Sequence, residues 1–232
     1  MGTALFTPAE TTAIALSLKV AVTASLASLP PGIAVAWLLA RRRFFGKGLV
    51  DALVHLPLVL PPVVVGYALL VVFGQGGPLG RMLSEYLGIT LAFRWTGAAL
   101  ASAIMGFPLL VRAIRLAIES VDQRLERAAS TLGASPLRVF FTITLPLAWP
   151  GLVAGMVLAF AKALGEFGAT ITFVSSIPGQ TRTLSSEIYG LMQVPGGEAG
   201  IWRLALVAVA ISLAALLASE WLVRRSRREE RD

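Results

Sequence analysis

The chain has 232 residues, 56% of them apolar and only 14% charged, with a formal net charge of +7 and a mean hydropathy of +0.77. Soluble domains carry about a quarter charged residues, so the composition excludes an ordinary water-soluble fold and points to lipid as the solvent. With no cysteine there is neither disulfide nor thiolate metal site, and the single histidine, His55, cannot form a metal cluster by itself.

A helix satisfies its own backbone hydrogen bonds where water is absent, and about 20 apolar residues in that form cross roughly 30 Å of hydrocarbon. Met1 to Glu10 lacks the basic opening of a signal peptide, and the apolar run behind it is too long for one, so that run is expected to remain as an anchor. The first predicted span covers about Thr12 to Ala40 and is interrupted by Pro30 and Pro31. The second, Leu53 to Phe73, contains Pro57, Pro61 and Pro62; each of these prolines removes a backbone donor and is expected to bend or break its helix. Gly74 to Gly80, "GQGGPLG", then reads as a turn. The third span covers Trp95 to Val111, the fourth Val139 to Leu164 and the fifth Leu204 to Val223, with Ile177 to Gly179 and Pro195 to Gly197 punctuating the loop before the last.

The polar segments between spans are too short for a separate domain, so residues 1–232 are expected to form a single transmembrane domain. Their charges alternate. Arg41, Arg42, Arg43 and Lys47 follow the first span; Arg112, Arg115, Arg124, Arg127 and Arg138 lie between the third and fourth; Arg224, Arg225, Arg227, Arg228 and Arg231 close the chain. The other polar segments hold only Arg81, Arg94, Arg182 and Arg203. By the positive-inside rule the amino terminus is expected outside and the carboxyl terminus in the cytoplasm. The basicity thus records topology, and nucleic acid is not an expected partner.

The segment between the third and fourth spans, about residues 120–146, is ordered in its chemistry. Ser120 with Gln123 matches a capping box, Asp122 suits the first turn of a short helix, and Gly133 is placed to end it. Ser135 and Pro136 then fit the N-cap and first position of a second helix. Val121, Leu125, Ala128, Ala129 and Leu132 share one side of the first helix, with Arg124, Arg127 and Ser130 on the other. Small residues at Ala128, Ala129 and Gly133 keep the turn narrow. Two readings fit: a hairpin lying on the membrane surface, the commoner arrangement, or a projection gripped by another protein.

The same residues resemble the EAA motif of permease subunits in ABC importers: Glu-Ala-Ala, three residues, Gly, nine residues, Ile, any residue, Leu-Pro. Counted from Gly133, the alanines are Ala128 and Ala129, and the motif closes on Ile143, Leu145 and Pro146. The glutamate position holds Arg127, and Glu126 stands one place early. The resemblance implies that Glu126, Arg127, Ala128, Ala129, Leu132, Gly133, Ala134, Ser135 and Pro136 form a coupling helix and turn, which seats in a cytoplasmic ATPase subunit. Further stretches, "FFGKGLVDALVHLPLVLPPVVVGYALLVVFG" and "GEFGATITF" with "IPGQTRTLSSEIY" among them, are similar to the molybdate permease family.

That resemblance implies an all-α, polytopic membrane protein of about five transmembrane helices in the type I ABC importer permease fold. It implies a bacterial or archaeal plasma membrane, two cytoplasmic ATPase subunits with Mg-ATP bound on them rather than here, and an extracytoplasmic molybdate-binding protein. The chain itself carries no cofactor and no phosphate loop: "GKG" at Gly46 to Gly48 lacks both the spacing and the hydroxyl. Moving a dianion through hydrocarbon is prohibitive, and five helices are few to enclose a wet route, so a second copy of the chain is expected across a two-fold axis. Sulfate, tungstate or another oxyanion is the alternative cargo, and an ATP-independent channel or scaffold the alternative class.

Weak neutral donors suit a route that must also release its anion. Thr170, Thr172, Ser175 and Ser176 are candidates, against helix-to-helix hydrogen bonding as the ordinary role of such hydroxyls. Lys162 and Glu166, four apart near the outer end of the fourth span, are expected to pair, and Glu220 to pair with a tail arginine. Lys19 is expected to snorkel and His55 to be hydrogen-bonded at an interface.

Overall fold

The computed structural model describes residues 5–229, and among these the regular structure is entirely helical. The helices are α1 (Pro8–Arg41), α2 (Lys47–Val59), α3 (Pro62–Phe73), α4 (Pro78–Leu87), α5 (Trp95–Ser120), α6 (Gln123–Thr131), α7 (Pro136–Val139), a π-helical turn (Phe140–Thr144), α8 (Leu145–Leu147), α9 (Trp149–Leu164), α10 (Gly168–Val174), α11 (Leu184–Leu191) and α12 (Glu198–Glu229). Among the described residues α1, α5 and α12 are long and apolar enough to cross a membrane alone; the number rises to five when the bent pairs α2–α3 and α7–α9 each count as one span.

Two of the proline expectations are corrected. α1 runs unbroken through Pro30 and Pro31, because a transmembrane helix buttressed by neighbours tolerates the missing donors. The second span does break, but beyond Pro57, which stays inside α2. A residue before proline is driven out of the helical region, and Leu60 accordingly takes φ −73°, ψ 143° ahead of Pro61. Pro62 then opens α3 at an angle of 112° to α2. The fourth span carries an unforeseen 70° bend between Pro136–Leu147 and Trp149–Leu164, at Ala148, between Pro146 and Pro150. The "GQGGPLG" turn leads directly into α4, and the loop before the last span contains α10 and α11. These three short helices carry no span-length apolar run and went unread.

α5 is the hub. It packs against α1 and α9 through a cluster that includes Ala36, Leu39, Leu110, Ile114, Ile118 and Leu152. Its other half meets α3 and α10 around Val65, Leu69, Met105, Ala169 and Phe173. The α3–α10 crossing is close because Gly66 faces it: a Cβ there would lie 2.5 Å from the Ala169 carbonyl oxygen and 2.8 Å from the Thr172 Cβ. Small residues at such crossings replace the hydrophobic drive that lipid cannot supply.

Two ion pairs tie α1 to the rest. At its first turn Thr7 and Glu10 form a capping box, and Glu10 also accepts Arg203 of α12 at 2.7 Å. At its last turn Arg41 reaches α6. Of the tail arginines expected to set topology, Arg231 lies outside the described residues, while Arg224 pairs with Glu220 at 2.9 Å.

Replacing Gly66 by valine is expected to lower the stability of the detergent-solubilised chain by about 1–3 kcal/mol, the usual effect of overpacking a tight contact. The drop would be read as a lower melting midpoint in a thermal-shift scan, and an unchanged midpoint would count against a close α3–α10 crossing.

Candidate coupling site

α6 begins two residues later than its sequence pattern suggests. Ser120 ends α5, its hydroxyl donating to the Ala117 carbonyl at 2.7 Å, and Asp122 takes the N-cap instead, accepting the Arg124 N–H at 2.9 Å. An aspartate is as good a cap as serine and adds charge where the helix dipole favours it. At the other end Gly133 has φ +85°. Its N–H donates to the Ser130 carbonyl and that of Ala134 to the Ala129 carbonyl, each at 3.1 Å, the paired bonds of a Schellman turn. Ser135 caps α7 by accepting the Arg138 N–H at 3.4 Å, and Pro136 follows it.

The side that periodicity marks as apolar is largely unused within the chain. Val121 is buried, but Leu125 is 50% and Leu132 89% exposed, and Leu137 beyond the turn is 72% exposed. Ala128 and Gly133 are exposed with them, Ala129 and Ala134 half-buried. Of the closing residues, Leu145 packs beside the α1–α5–α9 cluster, Ile143 is half-buried and Pro146 exposed.

The tether behind this knob was not legible from the motif. Glu126 Oε1 accepts Arg41 Nη2 at 2.9 Å and Nε at 3.2 Å, and the Thr144 hydroxyl at 2.7 Å. Arg41 Nη2 also donates to the Val121 carbonyl at 3.1 Å. The pair is mostly buried, with side chains 10% and 18% exposed. Arg127, which occupies the motif's glutamate position, points to the surface and reaches Gln123 at 3.3 Å. A notch of about 600 Å³ opens beside this node, lined by Trp37, Arg41, Gln123, Glu126, Phe140 and Thr144 among others. The sequence signals were an arginine closing a 34-residue helix and a threonine between Ile143 and Leu145; separations of 85 and 18 residues hide both contacts from local periodicity.

The hydroxyl candidates lie elsewhere, around α10. Thr170 is buried and donates to the Phe167 carbonyl at 2.8 Å; Thr172 is half-buried and donates to the Gly168 carbonyl at 2.9 Å. Ser175 is exposed with φ +62°, and Ser176 accepts Arg182 Nε at 3.2 Å. All four lie on α10 or within two residues of its end. Lys162 and Glu166 pair at 2.8 Å, Lys19 sits 3.7 Å above the Trp95 ring centroid, and His55 Nδ1 lies 2.9 Å from the Asp51 carbonyl oxygen. Among the described residues no three His, Asp or Glu side chains gather as a metal site.

Residues 32–228 match the family model described as binding-protein-dependent transport system inner membrane component. The chain is 60% identical over 223 residues to the molybdenum transport system permease protein ModB of Escherichia coli strain K12, covering 96% of this chain and 97% of that one. It is 34% identical over 221 residues to a probable sulfate transport system permease protein, cysT, of Nephroselmis olivacea, covering 95% of this chain and 77% of that one. In fold it is similar to a chain of the inward-facing MetNI methionine ABC transporter, with a TM-score of 0.71 at 16% identity, over 92% of this chain and 94% of that one.

Because Glu126 and Arg41 are both largely out of water, removing one strands the other. Glu126→Ala is expected to destabilise the chain by about 3 kcal/mol, at the low end for a broken buried pair. In a double-mutant cycle read by thermal unfolding, Arg41→Met with Glu126→Gln should lose clearly less than the sum of the single changes; strict additivity would mean that the two side chains do not interact.

Proposed function

The chain belongs to the binding-protein-dependent transport system inner membrane component family, and from that membership we propose that it is the permease subunit of an ATP-driven importer for molybdate. It is a multi-pass protein of a bacterial inner membrane and a transport subunit, not an enzyme by itself. Identity of 60% to a molybdenum permease against 34% to a sulfate permease, each over nearly the whole chain, favours molybdate as cargo.

The observation that carries the coupling role is the exposed knob around Gly133, backed by the Glu126–Arg41–Thr144 node. Leu125, Leu132 and Leu137 present apolar surface that the described residues leave largely exposed, while the node fixes the other side of α6 to the end of a long helix. A load applied to the knob is thereby passed to α1 and, through Thr144, to the π turn that leads into α9. A cleft in a cytoplasmic ATPase is the fitting partner, which puts the α6 end of the molecule in the cytoplasm and the Glu10–Arg203 end outside. Mg-ATP belongs on that partner.

A homodimer with two ATPase subunits and an extracytoplasmic molybdate-binding protein completes the proposed assembly. Its support is physical. In α12 only 6% of the best span-length window is buried, and α2 buries no residue at all, so large helix faces remain for lipid or a second copy. A wet route between two copies spares the dianion the hydrocarbon. Substrate then crosses by alternating exposure driven by ATP binding, with no covalent step.

The complex reconstituted in proteoliposomes is expected to accumulate radiolabelled molybdate in the presence of ATP and binding protein; uptake of sulfate without molybdate would reassign the cargo. Gly133→Val places a β-branched residue in the left-handed region at a penalty of about 1–2 kcal/mol or more, with open space around it. It is expected to weaken co-purification with the ATPase and to depress uptake. Unchanged co-purification and transport would return the hairpin to the role of a surface helix.

A further inference from the structure

The Lys162–Glu166 pair sits deeper than its sequence position suggests. α9 runs antiparallel along α5: a Cβ on Gly155 would lie 3.1 Å from the Leu110 carbonyl oxygen, and one on Gly106 3.2 Å from that of Ala159. In the same register Ala163 and Leu164 pack with Ala103 of α5, Ala21 and Ala24 of α1, and Ile211 of α12. Ala103 is about 12 Å along its helix from Trp95 and about 13 Å from Arg112, at 1.5 Å per residue. Ala24 and Ile211 are likewise near the middle of their spans, Pro8–Arg41 and Glu198–Arg224. Three helices therefore put Lys162 at mid-depth of the bundle, not near its outer edge, because the chain beyond Leu164 continues within the bundle as α10.

The two charges are unequally covered. Glu166 is 1% exposed in its side chain and held twice, by Lys162 Nζ at 2.8 Å and by the Ala169 N–H at 2.9 Å. Lys162 is 31% exposed and shares the open stripe of α9 with Leu158 and Gly165. An ammonium at the centre of a bilayer faces protein or water, since even lenient insertion scales charge about 2.5–3.5 kcal/mol for lipid there. The open stripe thus faces water or a second copy of the chain rather than lipid.

Building on the permease reading, we propose that Lys162 is a transient contact for the transported oxyanion midway along its route, with Glu166 as its resident counter-ion. A bare ammonium at this depth would hold a dianion too firmly for transport. With a carboxylate already at 2.8 Å, the arriving anion shares the ammonium rather than capturing it and gains little net energy, which keeps the well shallow as conduction demands. Glu166 keeps its hold on Lys162 and on the Ala169 N–H throughout, because a carboxylate this buried would be stranded if the pair separated. A lipid phosphate is the other anion such a lysine could take, and its headgroup does not reach mid-depth.

The chain has no cysteine, so Lys162→Cys introduces a single thiol. In proteoliposomes of the whole complex a charged, membrane-impermeant methanethiosulfonate is expected to modify it, and molybdate to slow that modification. Lys162→Met is expected to cut molybdate uptake about tenfold, a loss of roughly 1.4 kcal/mol, with binding-protein-stimulated ATP hydrolysis retained and Lys162→Arg transporting well. Lys162→Met with Glu166→Gln removes both charges and is expected to stay defective. A thiol that the reagent does not reach, or that molybdate fails to protect, overturns the proposal, as does wild-type uptake by Lys162→Met or by the double variant, which would leave the pair a purely structural one. If the wild-type complex accumulates no oxyanion with ATP, the permease reading itself fails, and this inference with it.

Discussion

Hydrocarbon offers no partner for a freed backbone N–H or carbonyl, and that constraint organises the molecule. Helices can be long and uninterrupted where they meet lipid, as α1 and α12 are, and may break only where protein covers the break. Two of the departures from simple spans obey this within the chain. The third, at Leu60 and Pro61, has Leu60 packed at the edge of the α3–α10 cluster but leaves Pro61 exposed, so its cover must come from lipid-excluding surface beyond this single chain. The fourth span bends at Ala148, which is fully buried in the α1–α5–α9 cluster, and its next irregularity, Gly165 to Phe167, is closed by the buried Glu166 carboxylate on the Ala169 N–H.

What could be read from the sequence followed from local rules. Apolar run length located the membrane-crossing material, and the glycine, serine and proline around residue 133 specified the helix-turn-helix, because caps and left-handed turns are decided within a few residues. The helix start was misread by two residues because Ser120 and Asp122 both satisfy capping chemistry, and only the length of α5 chooses between them. Proline was an unreliable guide: the same ring is absorbed at Pro30 and Pro31 and decisive at Pro61, the difference being what packs alongside. α4, α10 and α11 are too short to leave an apolar signature of their own. The node behind the turn was hidden altogether, since Arg41 and Glu126 are 85 residues apart.

The departure of the chain from the EAA pattern also becomes intelligible. With arginine at the motif's first position, the carboxylate one residue earlier does the inward-facing work, accepting from Arg41 and Thr144, while Arg127 lies on the outer side. On a helix neighbouring residues differ by about 100°, so moving an acid by one place changes what it touches. Here the inward place is the one taken.

The two ion pairs on α1 have a mechanical consequence. Arg203 pins its first turn through Glu10 and Glu126 its last residue, Arg41. Thirty-four residues of unbroken helix make a strut about 50 Å long, clamped at both ends to parts of the protein on opposite faces of the bundle. A displacement at one clamp travels to the other along a continuous helix, softened at Pro30 and Pro31 where two backbone donors are missing, so the two faces share one connecting rod with a single built-in spring.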